Sequence, residues 1–298
     1  MEATVRPPIP ADYHMHLFPD NEPLRADELP ERLQLYARVA RERGVAEIGI
    51  SEHVHRFRQF REIMRYLYDS DGVHPYVREW LTNDFRADLD SYVDAVLSAK
   101  VDVPVRLGLE VDYLPGHMES IREILSPYPW DYLLGSVHFL GTWGFDISPD
   151  VGWPGDPVLI DEGWLRYWQS WQEAAACGLF SSMAHPDLFK KFGHRPGAGA
   201  SQKVAEAQAV ALSTVAQAGV AIEINSAGLR KPVGEIYPSL SFLQQARKLR
   251  IPITLGSDAH QADDVGRGLR EAAELARNAG YEETILLRRQ QREIVRLP

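Results

Sequence analysis

Cysteine is nearly absent. The chain of 298 residues holds one, Cys177, which excludes an intrachain disulfide and a cysteine-built metal site. Positive charge is in deficit: 32 Lys and Arg stand against 42 Asp and Glu, a formal net charge of −10. Such a balance suits neither nucleic acid nor an anionic membrane, so neither partner is expected. An anionic substrate would need a local reversal of sign. No run of about 18 apolar residues occurs, so no membrane-spanning helix is expected. The opening MEATVRPPIPADYHMH lacks the apolar stretch of a secretory signal, and a cytoplasmic setting is expected. No Pro/Ser linker or compositional break divides the sequence, so residues 1–298 are read as one domain.

What the chain does have is alternation. Short apolar runs at 11–16, 47–52, 104–111, 131–138, 180–185, 220–225 and 253–257 read as strands. Helical periodicity follows at 29–43, about 85–100, 118–125, 162–176, 202–218, 239–248 and 263–279. An irregular aromatic-rich stretch occupies 55–84, and a Trp/Gly/Asp-rich loop occupies 141–161. Strands alternating with helices imply βαβ units and a parallel sheet. The expectation is an α/β chain whose sheet closes into a barrel; an open doubly wound sheet is the alternative.

The chemistry lies at the strand ends. Strand one ends in His14-Met15-His16, the second in Glu52-His53, the fourth in His138, the fifth in His185 and the seventh in Asp258-Ala259-His260, while strand three carries Glu110. In a parallel barrel these ends share the face where active sites form. One histidine after a strand is ordinarily a hydrogen-bonded structural residue. Six of ten histidines at successive strand ends is a different matter. His-x-His also sets both imidazoles on one side of a strand. Histidine and carboxylate ligands without cysteine suit Zn²⁺, Mn²⁺ or Fe²⁺. There are too many for one ion, so two or three are expected, with a bridging water activated as nucleophile. Such ions outweigh the neighbouring carboxylates and make a local cationic well, suited to a phosphate monoester.

The segments DYHMH (12–16), SEH (51–53), LGLEVDY (107–113), DYLLGSVHFLGTWGFD (131–146), AHPDLFKKF (184–192), EINSAGLRKPVGEIYPS (223–239) and GSDAH (256–260) occur in this order along nearly the whole chain. In them the chain resembles the polymerase and histidinol phosphatase (PHP) superfamily, and within it the histidinol-phosphate phosphatases. The resemblance implies a distorted (β/α)7 barrel with a three-metal site. It implies one ion on His14, His16, Glu110 and Asp258, and a second on Glu110, His138 and His185. A third would take His53, His260 and Glu22, which lies eight positions after His14. Asp20 is the other acid in that loop, an outer group or the acid that protonates the leaving alkoxide. Arg230 would grip phosphate, as guanidinium does in bidentate fashion. Lys190 and Lys191 are weaker substrate contacts, a solvated charge pair being the plainer reading for at least one. The implied reaction is hydrolysis of L-histidinol phosphate to L-histidinol and phosphate, in histidine biosynthesis, through a metal-bridging hydroxide. The partner implied is thus a small-molecule phosphate ester.

Other residues read more simply. Trp164, Trp168 and Trp171 form a core-facing helical stripe. Trp143 and Trp153 either line a substrate pocket or pack a loop. His55, His74, His117 and His194 read as surface or packing residues, with His194 the nearest to an exception. Gly266 and Gly268 lack the strand–helix context of a dinucleotide site. Three rival functions stand beside the phosphatase. They are a PHP-type esterase for a nucleotide or phosphodiester, a barrel hydrolase of C–N bonds, and a metal-binding regulator without activity. The absence of a strand-end lysine disfavours the second, and the complete ligand set disfavours the third.

Overall fold

The computed structural model describes residues 7–20 and 22–298. Helix α1 (Leu29–Glu42) begins with Pro30 in its first turn and buries Leu33, Tyr36, Ala37 and Ala40 on one face. It leads to strand β1 (Ile48–Ile50). The aromatic-rich stretch that follows holds two 3-10 turns, Val54–Arg56 and Arg58–Phe60. It then forms the short helices α2 (Tyr66–Asp69) and α3 (Pro75–Asn83). Next come α4 (Leu89–Leu97), β2 (Val105–Leu107) and β3 (Glu110–Asp112). Helix α5 (Met118–Leu125) precedes β4 (Leu134–Ser136) and the small hairpin β5 (Phe139–Leu140) and β6 (Trp143–Gly144).

Helix α6 (Pro157–Ala176) starts earlier than its hydrophobic periodicity implies. Asp156 accepts from the Val158 amide and Pro157 occupies the first helical position, so a polar cap extends an apolar stripe. Trp164, Trp168 and Trp171 are buried on that stripe, as expected. Strand β7 (Ser182–Met183) and α7 (Ser201–Ala218) follow, α7 ending at Gly219 with φ 67°. That left-handed turn is one glycine adopts without strain. Strand β8 (Ala221–Asn225), α8 (Leu240–Lys248), β9 (Ile253–Gly256) and α9 (Leu269–Asn278) continue the alternation. A hairpin, β10 (Glu283–Arg288) with β11 (Gln291–Arg296), ends it.

The sheet is parallel, with both of its faces covered, as its buried strands indicate. β1 pairs with β2, and β3, β4, β7, β8 and β9 lie side by side in that order. β2 and β3 together occupy the run expected as strand three. Gly108 donates to Ile50 and Glu110 to Glu52 across the break, at 2.9 and 3.0 Å. The N-terminal run at 11–16, expected as strand one, makes isolated parallel bridges instead. Asp12 pairs with Ile48 and Met15 with Ala259. Its amides reach both neighbours: Asp12 donates to Glu47 (3.0 Å), Tyr13 to Leu255 (3.0 Å) and His16 to Ala259 (2.7 Å). The final helix is shorter than the expected 263–279, because Gly266 and Gly268 both have positive φ, at 70° and 78°.

The C-terminal hairpin covers the end of the sheet opposite the histidines. The Leu287 amide donates to the Tyr13 hydroxyl (3.0 Å). Buried Glu47 accepts from Tyr13, from Arg106 (2.6 Å) and from Arg288 (3.1 Å).

Candidate metal centre

All of the expected ligands but Glu22, drawn from segments up to 246 residues apart (14–260), meet in one cluster. Its hub is Glu110, the first residue of β3, with a side chain 1% exposed. Its Oε2 lies 3.2 Å from His14 Nε2, 3.4 Å from His16 Nε2 and 2.8 Å from His53 Nδ1. Its Oε1 lies 2.8 Å from His185 Nε2 and 3.3 Å from His138 Nε2. Asp258 Oδ1 completes the first group, 3.7 Å from His14 Nε2 and 3.6 Å from His16 Nε2. Geometrically, His14, His16 and Glu110 form one set able to hold an ion; His53, Glu110 and His138 form another, and His16, His53 and His260 a third.

Several of these atoms are buried without a hydrogen-bond partner: His14 Nε2, both ring nitrogens of His16, His53 Nδ1 and Glu110 Oε2. Unpaired buried polar groups are costly, and here they face one another, an arrangement that a cation would satisfy. Burial opposes the charge on Glu110, but the His14, His53 and His138 imidazoles around it prevail and hold its carboxyl well below the usual range. His185 and Asp258 sit at φ 26° and 53°, a left-handed backbone in residues with a Cβ. Such local strain collects at functional sites.

Around the cluster stand carboxylates that the sequence reading left unassigned. Glu223 lies 2.9 Å from His14 Nδ1, Asp112 2.8 Å from His138 Nδ1, and Glu52 3.8 Å from His16 Nδ1. Period-two spacing was the available signal for Asp112, which shares a strand face with Glu110. Glu223 and Asn225 had the same signal on β8.

The expectation at Glu22 is corrected. Its carboxylate pairs with Arg32 at 2.9 Å, its side chain is 44% exposed, and it does not reach the cluster. Asp20 does: its Oδ1 is 3.3 Å from His260 Nε2 and 3.6 Å from His53 Nε2. Arg56 decides this. Fully buried, it donates to the carbonyls of Phe18 (2.9 Å), Pro19 (3.0 Å) and Glu22 (2.8 Å), which turns the loop so that Asp20 faces inward. A spacing count does not see that clasp.

Arg230 follows β8 in the 3-10 turn Ser226–Arg230. Its Nη2 donates to Ser257 O (2.7 Å) and its Nε pairs with Asp264 (3.3 Å), while Nη1 is buried with no partner. Lys191 Nζ contacts the carbonyl and carboxylate of Asp146, at 2.6 and 3.2 Å. Lys190 is not solvated. It is wholly buried against Asp187 (3.0 Å) and the Ile236 carbonyl (3.0 Å).

Of the two readings of His55, surface or packing, packing is the one observed. The residue is buried, stacks on His53 at 4.7 Å between ring centres, and binds Asp84 through Nδ1 at 2.6 Å. His194 stacks on Trp153 at 3.9 Å, and Trp143 and Trp153 pack on Phe189, which is loop packing. His117 stacks on Tyr66, and His74 caps α3. A cavity of about 200 Å³ opens beside the cluster, lined by Asp20, His53, His55, Tyr76, Trp80, His138, Phe139, Asp146, Ile147 and Lys191.

A parallel α/β fold thus brings imidazoles and carboxylates together at its strand ends, in groups that could hold divalent ions. Residues 30–227 match the PHP domain, and residues 243–282 match the PHP-associated family. The chain belongs to the PHP domain family. A protein of Deinococcus radiodurans described as a probable histidinol-phosphatase is 40% identical over 176 residues, 59% of this chain and 65% of that protein, just under two thirds of its length. The histidinol-phosphatase of Bacillus subtilis is 30% identical over 199 residues, 61% of this chain and 74% of the relative. The crystal structure of a Listeria monocytogenes protein put forward as a histidinol phosphatase superposes with a TM-score of 0.66 at 26% identity, over 87% of this chain and 98% of that one. The histidinol phosphate phosphatase of Lactococcus lactis, solved with zinc, L-histidinol and phosphate, shares the fold with a TM-score of 0.63 at 19% identity, over 95% and 98% of the two chains.

Proposed function

We propose that this chain is a metal-dependent phosphatase that hydrolyses L-histidinol phosphate to L-histidinol and phosphate in histidine biosynthesis. The observation that carries the reading is the convergence of partnerless imidazole and carboxylate atoms on Glu110. The names of the Deinococcus, Bacillus and Lactococcus proteins support the substrate.

The domain is read as one unit, 1–298, whose sheet closes as a distorted seven-membered barrel. Three bridges support closure: Asp12–Ile48 and Met15–Ala259 link the N-terminal run to β1 and to the segment after β9, and His53–Glu110 links the segment after β1 to β3. Two or three Zn²⁺, Mn²⁺ or Fe²⁺ ions are proposed. His14, His16, Glu110 and Asp258 would hold one, Glu110, His138 and His185 a second, and His53, His260 and Asp20 a third. When bound, such ions supply an activated water and neutralise charge developing on the phosphoryl oxygens.

The chain's own residues do the rest. Glu110 would serve two of the ion sites, since each of its oxygens faces a different group of imidazoles. Arg230 keeps one guanidinium nitrogen free while its other nitrogens are anchored, so it is pre-oriented for a phosphate oxygen. Lys191 adds a point charge on the cavity wall. Trp80, Phe139 and Ile147 give that cavity an apolar side that excludes water and accepts a flat ring. Asp146 is held ionised against its burial by Lys191 and His138, and offers an acceptor for an ammonium group. A small-molecule ester is therefore the partner proposed. No helix among the described residues is long and apolar enough to cross a membrane. A cytoplasmic location is proposed, in keeping with one half-buried cysteine.

The test is phosphate release by protein purified with Zn²⁺ or Mn²⁺, across L-histidinol phosphate, other small monoesters, nucleotides and a model phosphodiester. Preference for L-histidinol phosphate by orders of magnitude, abolished by chelation, is expected. Metal binding with preference for another ester would overturn the substrate. No metal and no hydrolysis would overturn the whole reading.

A further inference from the structure

Glu223, on β8, does not face the substrate cavity and is not among the expected ligands. It is fully buried, and both of its carboxylate oxygens have partners. Oε1 lies 2.9 Å and Oε2 3.1 Å from His14 Nδ1. Oε2 also accepts from the His185 amide at 2.9 Å and from Asn225 Nδ2 at 2.9 Å. The same Asn225 nitrogen donates to Asp258 Oδ2 at 3.2 Å. One carboxylate therefore touches the ring of His14, the strained backbone of His185 at φ 26° and, through Asn225, Asp258.

We infer that Glu223 is the positioning residue of the metal centre, fixing the His14 tautomer and tying two ligand groups into one geometry. A proton held on His14 Nδ1 by Glu223 leaves a lone pair on Nε2, the atom that faces Glu110 and Asp258. Three acceptors then point at one spot, an arrangement a cation satisfies and a hydrogen bond does not. Carboxylate partners of this kind set ring orientation and ligand basicity. The neighbouring strand is built to admit the pair. A Cβ at Gly256 would fall 1.9 Å from Glu223 Oε1 and 2.7 Å from His14 Cβ, so the absence of a side chain there is what lets Glu223 reach His14. Glutamine cannot replace the carboxylate. Its amide nitrogen would face either His14 Nδ1–H or the two donors on Oε2.

The inference rests on the reading that the cluster holds divalent ions. The full-length protein is stripped of metal and titrated with Zn²⁺ by calorimetry and with Co²⁺ by visible absorption. Wild type, Glu223→Gln, Glu223→Asp, Gly256→Ala and Ser182→Ala are compared. Ser182 is a control: buried in the same sheet, it bonds Thr254 and not the cluster. Glu223→Gln and Gly256→Ala should each lose about 10- to 100-fold in metal affinity and alter the Co²⁺ spectrum. Ser182→Ala should do neither. Reloaded Glu223→Gln should show a reduced kcat with KM nearly unchanged. If circular dichroism shows that Glu223→Gln does not fold, Glu223→Asp decides, because it keeps the charge, leaves the space beside His14 unchanged and only withdraws the carboxylate from His14 Nδ1. Wild-type affinity and spectrum in every Glu223 variant that folds would overturn the inference and leave the metal reading standing. A wild type that binds no metal would overturn both.

Discussion

At the scale of single residues, Glu110 has more depending on it than any other side chain. Its two oxygens lie within 3.4 Å of five imidazoles. Removing one partner from such a buried network costs more than one ordinary hydrogen bond, because the rest are left facing each other. Glu110→Gln should therefore lower both the metal content and the turnover, each by at least about tenfold. Elemental analysis beside a phosphate-release assay checks it, and near-normal values of both would remove Glu110 from the hub. The loop that begins at Phe18 and reaches Glu22 teaches a different lesson. Of two acids two positions apart, Asp20 faces the histidines and Glu22 faces Arg32. The choice is made by Arg56, which binds three carbonyls of that loop and is remote from it in sequence.

At the scale of elements, the hairpin β10–β11 is the least expected feature. Two-residue hairpin turns with positive φ at both positions favour Asn-Gly. Here Arg289 and Gln290 occupy them, at φ 48° and 60°, so the usual turn signal is missing from the sequence. The turn is held from outside: Arg289 and Gln290 donate their amides to Asp131, each at 2.8 Å. Both donors are backbone amides, one to the Asp131 carboxylate and one to its carbonyl, so the bonds survive substitution of residues 289 and 290. Replacing Arg289-Gln290 by Asn-Gly should relieve the left-handed strain and stabilise the protein by about 1 kcal/mol. A thermal melt should shift upward while turnover stays unchanged, since the turn lies at the end of the sheet away from the metal cluster. An unchanged or lower melting temperature would mean that the turn carries no strain.

At the scale of the whole molecule, the cluster gathers groups from the N-terminal run, from β3 and from the segments after β1, β4, β7 and β9. A ligand that binds only the folded chain stabilises it by mass action, about 2.7 kcal/mol at a hundredfold excess over its dissociation constant. Chelation should accordingly lower the melting temperature by several degrees, and Zn²⁺ added back should restore it. Identical melts with and without chelator would show that the ions contribute nothing to the fold.

The sequence by itself determined the alternation of strands and helices, the family, and which histidines and acids to watch. Those signals are local: a period of two or 3.6, a short motif, a residue type at a strand end. His14, His16, His53, Glu110, His138, His185, Asp258 and His260 are brought together as that pattern implied. Only the tertiary structure decided what depends on partners distant along the chain. It turned Asp20 inward rather than Glu22, buried Lys190 and His55, set Glu223 behind His14 in the space Gly256 leaves open, and held a hairpin turn against its residue preferences. Each of these is fixed by a hydrogen bond, an ion pair or a stacking contact, and for Asp20, Glu223 and the hairpin turn by one from another strand or loop. Periodicity along one segment carries no record of its neighbours across the sheet.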